Sequence, residues 1–112
     1  TTLNPVTGNE AATMLLKDMV IDKINRTVTV QNLSVDLTGK EFDLLLFLSS
    51  SNGRVFTQKQ LYMQVWTEEY DFDDNNLMAF ISKLRKKIEP NPEQPFYIQT
   101  VRGVGYRFNK EA

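Results

Sequence analysis

Four apolar residues in the second half of the chain set the first constraint. Leu77, Ile81, Leu84 and Ile88 recur at i, i+4, i+7 and i+11 within Asn75–Pro90, which is the repeat of one face of an α-helix. At about 100° per residue, Asn75, Ala79, Ser82, Lys83 and Lys86 fall on the opposite face, with Asn76 at its edge. Asp73 or Asp74 can cap the N-terminus, and Pro90 follows the last turn. Such a helix must seat its seam on a core supplied by the rest of the chain, leaving a polar, mostly cationic face uncovered. Taken alone, that face reads as ordinary solvated surface. The rest of the chain decides whether it is more.

With 112 residues the chain suits one domain with one modest core. It has no cysteine and no histidine, so disulfides, thiolate chemistry, imidazole acid–base work and Cys/His zinc sites are excluded. No glycine-rich phosphate cradle or rigid carboxylate pair stands out, so neither an enzyme nor a cofactor is expected. No apolar run approaches the roughly 20 residues needed to span a bilayer, and no signal peptide is visible. A cytoplasmic setting without membrane contact is therefore expected, consistent with the absence of cysteine. The first residue is Thr rather than Met, so an excised domain or a processed product is expected.

A net charge of −1 hides a polarised chain. Residues 1–74 carry 6 Lys/Arg against 11 Asp/Glu, whereas residues 75–110 carry 7 against 2. A basic C-terminal end can attract phosphate while the acidic end repels it, which orients the domain on a polyanion.

In chain order, residues 1–12 are small and polar, broken by Pro5 and Gly8, and read as a flexible linker ahead of a domain over 13–112. Short apolar runs follow at Leu15-Leu16, Met19-Val-Ile21, Thr27-Val-Thr-Val30 and Leu33-Ser-Val35, with a turn at Asp22–Asn25. Their links are too short for parallel crossovers, so a four-stranded antiparallel meander is predicted. Thr38-Gly-Lys-Glu41 has the form of a capping box. It opens a helix carrying Phe42, Leu45, Leu46 and Leu48, which stops near Ser49–Gly53. Gly53-Arg-Val-Phe56 reads as a connection, and Thr57 caps a second helix to about Trp66, with Leu61, Val65 and Trp66 turned inward. A third, basic helix then completes a helix-turn-helix-like order. The spacer Thr67–Asp74 carries Glu68, Glu69, Asp71, Asp73 and Asp74. It lacks the glycine and terminal glutamate of an EF-hand loop, and no metal site is expected. After Pro90, Phe96–Val101 and Tyr106–Asn109 read as strands around Arg102-Gly-Val-Gly105, whose glycines permit positive φ or close approach.

These stretches together resemble the C-terminal DNA-binding domain of OmpR/PhoB-type two-component response regulators. The matching residues are Leu37-Thr-x-x-Glu-Phe-x-Leu-Leu45, Gly53-Arg-Val-Phe-Thr57, Gln60-Leu61, Val65-Trp66, Ile81-x-x-Leu-Arg-Lys-Lys-Ile88 and Gln99-Thr-Val-Arg-Gly-Val-Gly-Tyr-Arg-Phe108. The resemblance implies an α+β winged helix-turn-helix: an N-terminal four-stranded antiparallel sheet, three helices and a C-terminal β-hairpin wing. It implies sequence-specific binding of double-stranded DNA, with the third helix, about 74–89, in the major groove. Asn75, Asn76, Ala79, Ser82, Lys83 and Lys86 would face the bases. Arg85 on the flank, Trp66 and Thr100 would reach phosphates, and the wing-tip Arg102 would enter the minor groove. Arg54 and Lys59 would lie near phosphate beside the second helix.

The family further implies an N-terminal receiver domain outside this chain and a sensor histidine kinase that phosphorylates it. It also implies head-to-tail dimers on direct repeats and RNA polymerase contact through the loop holding Glu68, Glu69 and Asp71. A one-component or membrane-linked regulator is the alternative within the fold. A protein-interaction module with weakened DNA binding is the alternative outside it. The chain departs from the family at Asn75, Met78, Phe80 and Ser82, where relatives commonly carry basic or polar residues, and at Lys83, where arginine is frequent. Lysine lacks the planar fork that grips guanine O6 and N7 together. A shallower salt dependence than in more basic relatives is expected. Trp66 also has the reading of helix-end packing, as Phe80 does, and Tyr106 and Phe108 read as anchors of the wing on the core.

Overall fold

The computed structural model describes residues 13–51, 53–66 and 74–112, with the backbone alone at 74–76. The linker read at 1–12 and the acidic residues Glu68, Glu69, Asp71 and Asp73 lie outside the described residues. The N-terminal meander consists of β1 (Thr13–Leu15), β2 (Met19–Asp22), β3 (Thr27–Val30) and β4 (Leu33–Val35), antiparallel and in chain order. Alternation sends Met19, Ile21, Val28 and Val30 into the core. In the β2–β3 turn the Asp22 carboxylate accepts from the backbone amides of Ile24 and Asn25 at 3.0 and 3.1 Å. In the β3–β4 turn, Gln31 and Asn32 both take positive φ, at 52° and 67°. That is the signature of a two-residue type I′ turn, whose twist suits paired strands.

Helix α1 (Gly39–Ser49) starts at the predicted capping box. The Thr38 hydroxyl accepts from the Glu41 amide at 3.2 Å, and the Glu41 carboxylate accepts from the Thr38 amide at 2.9 Å. The buried arc is wider than its apolar spacing predicts. Leu44 is fully buried with Phe42, Leu45 and Leu48, whereas Leu46 is only partly covered. An amphipathic template assumes one covered side, but α1 packs on more than one element and so loses that contrast. Helix α2 (Gln58–Trp66) repeats the device: Thr57 and Gln60 exchange side-chain-to-amide hydrogen bonds at 3.1 and 2.8 Å. Leu61 and Val65 point inward as predicted, joined by Tyr62.

Two boundaries are corrected. The Gly53–Phe56 connection ends in a strand, β5 (Phe56–Thr57), which pairs with β7 (Gly105–Phe108). With β6 (Ile98–Val101) the wing is therefore a three-stranded sheet, ordered β5-β7-β6, rather than a hairpin alone. A two-residue strand has no period to read; only its distant partner makes it one. The strand predicted from Phe96 begins at Ile98 instead. The Phe96 and Tyr97 amides donate to the Glu89 carboxylate at 2.7 and 3.0 Å rather than to a strand ladder.

Helix α3 (Asp74–Ile88) follows the periodicity closely. Leu77, Ile81, Leu84 and Ile88 are each at most 1% exposed and join the same core as the meander, α1, α2 and the wing. Its end is fixed to the start of α1. Lys87 donates to the Glu41 carboxylate at 2.6 Å, so one carboxylate serves both a helix cap and an ion pair.

Burial raises the Glu41 carboxyl, but the Lys87 ammonium and the Thr38 amide outweigh it and hold the group below its ordinary range. The folded state thus binds this proton less tightly than the unfolded chain. Its stabilisation is complete above the ordinary glutamate range and is lost as pH falls through the depressed value. Chemical denaturation series between about pH 5 and pH 3 should show stability falling with acid. Glu41→Gln should flatten that slope and leave the protein less stable at neutral pH.

Candidate nucleic-acid interface

The outward face of α3 carries Ala79, Ser82, Lys83 and Lys86, all exposed. Asn75 and Asn76 lie in its first turn, where only the backbone is described. Three cations fill the last turn, complementing the carbonyl end of the helix dipole. They do different work. Lys87 is committed to Glu41. Among the described residues no carboxylate pairs with Lys83 or Lys86.

Arg85 is the third. The sequence placed it on the flank within reach of a phosphate; it is half-buried and joins α3 to β6. Its guanidinium donates to the Ile98 carbonyl at 2.8 and 3.2 Å and to the Thr100 hydroxyl oxygen at 2.8 Å, and lies 5.4 Å from the Tyr106 ring centre. Burial lowers its pKa, yet an arginine retains its charge at neutral pH. Because the Thr100 oxygen accepts from Arg85, its own O–H remains available to donate outward. Thr100 itself is exposed.

The wing turn is held by the Val104 amide donating to the Val101 carbonyl at 2.9 Å. Arg102 and Gly103 are its central residues, and Gly103 has φ of 78°, the positive value a type II turn requires at that place. Arg102 is exposed, without an ion pair among the described residues. Gly105 answers the other need, close approach. A Cβ there would lie 2.0 Å from the Phe56 carbonyl oxygen of β5. Between the wing and the start of α2 runs a cleft of about 430 Å³ bordered by Lys59, Thr100 and Tyr106. Tyr106 and Phe108 are buried, anchoring the wing as predicted.

Trp66 ends α2 in an aromatic cluster. Its ring stacks on Tyr62 at 4.8 Å, meets Phe80 edge-on at 4.9 Å, and has the Lys40 ammonium 5.6 Å from its centre. The packing reading thus holds for the ring and for Phe80. Arg54 lies against the Phe56 ring at 5.3 Å.

The residue that sequence reasoning missed is Glu89. It is buried, and its carboxylate accepts from the amides of Phe96, Tyr97 and Ile98 at 2.7–3.0 Å. This nest fixes where β6 starts relative to the end of α3. A signal existed: an acid at the carbonyl end of a helix opposes the dipole, so Glu89 needs donors from elsewhere. No helix among the described residues is long and apolar enough to cross a membrane, and none of their His, Cys, Asp or Glu side chains cluster as a metal site.

The family described as "Transcriptional regulatory protein, C terminal" matches residues 31–108. The chain is 51% identical over 73 residues to Response regulator GtcR of Aneurinibacillus migulanus, covering 64% of this chain and 30% of that protein. It is similar in structure to response regulator DrrB, a Thermotoga maritima OmpR/PhoB homolog, with TM-score 0.80 and 35% identity over 88% of this chain and 44% of that one. It is also similar to the Klebsiella pneumoniae RstA DNA-binding domain, whose structure is a complex with the RstA box. There the TM-score is 0.79 and identity 33%, over 88% of this chain and 97% of that one. The chain spans less than half the length of curated relatives such as GtcR.

Proposed function

The chain belongs to the family of C-terminal domains of OmpR/PhoB-type transcriptional regulatory proteins, and from that premise we propose that it binds double-stranded DNA in a sequence-specific way as the output domain of a two-component response regulator. The observation that carries this reading is the arrangement of α3 and the wing. Among the described residues no carboxylate pairs with Lys83 and Lys86 on the exposed helix face, nor with Arg102 on the turn of the wing whose β6 Arg85 ties to that helix. Bland surface lysines would not need a half-buried arginine to set the distance between two protruding elements.

In this reading α3 enters the major groove, with Asn75, Asn76, Ala79, Ser82, Lys83 and Lys86 toward the bases. Asparagine suits adenine N6 and N7, and lysine suits guanine as a point charge. The wing places Arg102 in the minor groove, where narrow A·T-rich segments attract guanidinium. Thr100 and Trp66 meet phosphates, while Arg85 acts mainly by positioning Thr100. Two copies bind head-to-tail on direct repeats. A receiver domain phosphorylated by a sensor histidine kinase governs that pairing in the cytoplasm. The acids Glu68, Glu69 and Asp71 meet a basic surface of RNA polymerase. The role is recognition rather than catalysis.

Selection of binding sites from random duplex DNA, at two salt concentrations, tests the proposal. A recovered motif supports it, and failure to bind a tandem-site duplex at low salt refutes it. On the selected site, Lys83→Ala should cost roughly 1–3 kcal/mol if Lys83 reads a base. Arg102→Ala should relax preference at the flanking A·T positions. Lys86→Ala, like Lys83→Ala, should cost roughly 1–3 kcal/mol and relax preference at the base it faces. In the same panel, neutralising Glu68, Glu69 and Asp71 should reduce transcription from the site without reducing DNA affinity.

A further inference from the structure

Large apolar side chains left in water are few among the described residues, and two of them stand on the proposed reading elements. Met78 on α3 and Val104 in the wing turn are about half exposed. Met78 is not part of the seam. At about 100° per residue it lies between the buried line of Leu77 and Ile81 and the outward strip of Ala79 and Ser82, on the flank it shares with Arg85. That flank faces the wing, because Arg85 bonds to Ile98 and Thr100.

Toward the outward strip, the described side chains that border Met78 are short. Ala79 and Ser82 are both exposed, and neither extends far enough to screen a methionine from a groove wall. A thioether is a poor hydrogen-bonding group, so it cannot read the donor and acceptor pattern of a base edge. The major groove offers such a side chain one apolar target, the C5-methyl group of thymine. Methionine is unbranched and flexible enough to find it.

Resting on the DNA-binding reading above, we infer that Met78 is a specificity-determining residue that selects thymine by contact with its C5-methyl group. Water around Met78 and around the methyl is released on docking, which favours thymine over cytosine without any hydrogen bond. The preference belongs to this chain's own departure from a polar reading helix. It predicts a selected site with a thymine beside the positions read by Ala79 and Ser82.

The test uses duplexes of the selected site in which each thymine in turn is replaced by deoxyuridine. This removes the methyl and leaves base pairing intact. At one position the wild-type protein should lose about fourfold in affinity, the worth of one buried methyl group. Met78→Ala should bind the thymine and deoxyuridine duplexes equally at that position. Met78 is exposed, so this variant should keep the wild-type thermal midpoint. If the wild-type protein binds the selected duplex but no replacement distinguishes it from Met78→Ala, the inference is wrong and the DNA-binding reading stands. A loss on Met78→Ala that is the same for every duplex would mean contact with sugar or backbone, and would also overturn it. If the wild-type protein binds none of the duplexes, the DNA-binding reading itself fails.

Discussion

Gly105→Ala should destabilise the domain by about 3 kcal/mol or more, a large share of the roughly 5–15 kcal/mol available to a domain. The added Cβ would meet the Phe56 carbonyl oxygen at 2.0 Å and the Thr57 Cα at 2.9 Å. Both are backbone atoms of β5, which cannot step aside as a side-chain end can. Strand β5 would have to leave β7, taking with it Phe56, a core residue that packs on Phe47 at 4.7 Å. Gly103→Ala separates this cause from backbone conformation. Gly103 has φ of 78° but nothing within 4 Å of an added Cβ, so only the left-handed penalty of about 1–2 kcal/mol applies. Urea titrations followed by circular dichroism should rank the variants in that order. Equal losses for the two would reject the close-approach argument.

The second large effect is expected at Glu89. Truncation to alanine leaves the buried amides of Tyr97 and Ile98, and the part-buried amide of Phe96, without their acceptor. Each unsatisfied buried donor costs about 1–3 kcal/mol. With partial rescue by water, Glu89→Ala should cost about 3–5 kcal/mol and lower the thermal midpoint by well over 10 °C, at about 4–8 °C per kcal/mol for a domain of this size. Glu89→Gln keeps one strong acceptor and should cost clearly less. The consequence for function is geometric. The nest sets the start of β6, and β6 carries Thr100 and leads into the Arg102 turn. A Glu89→Gln protein that is still folded at low temperature should therefore bind DNA more weakly than its loss of stability accounts for. If Glu89→Ala melts with the wild type, the nest contributes no net stability.

Much of the fold was legible because its causes are local. The α3 seam repeats within a single helix, the Thr38–Glu41 box acts across three residues, and the meander follows from short links between alternating runs. The glycines of the wing were also readable as a pair, although not which served which need. Gly103 answers φ, and Gly105 answers the approach of β5, a distinction that depends on a strand distant in sequence. The same holds for the cations of α3. A helical wheel sets Lys83 and Lys86 outward and Arg85 on the flank, but it cannot say which partner Arg85 or Lys87 takes.

The sequence by itself determined the types of the elements other than β5, the face of α3 that is buried, and the position of the turn that carries Arg102. Periodicity and capping bring together residues a few places apart, whatever the rest of the chain does. Only the tertiary structure decided that Lys87 belongs to Glu41, that Arg85 belongs to Ile98 and Thr100, and that Lys83 and Lys86 have no carboxylate partner among the described residues. Which partner a charge or an amide takes depends on what else is buried within about 3 Å of it, and that is settled when distant segments pack.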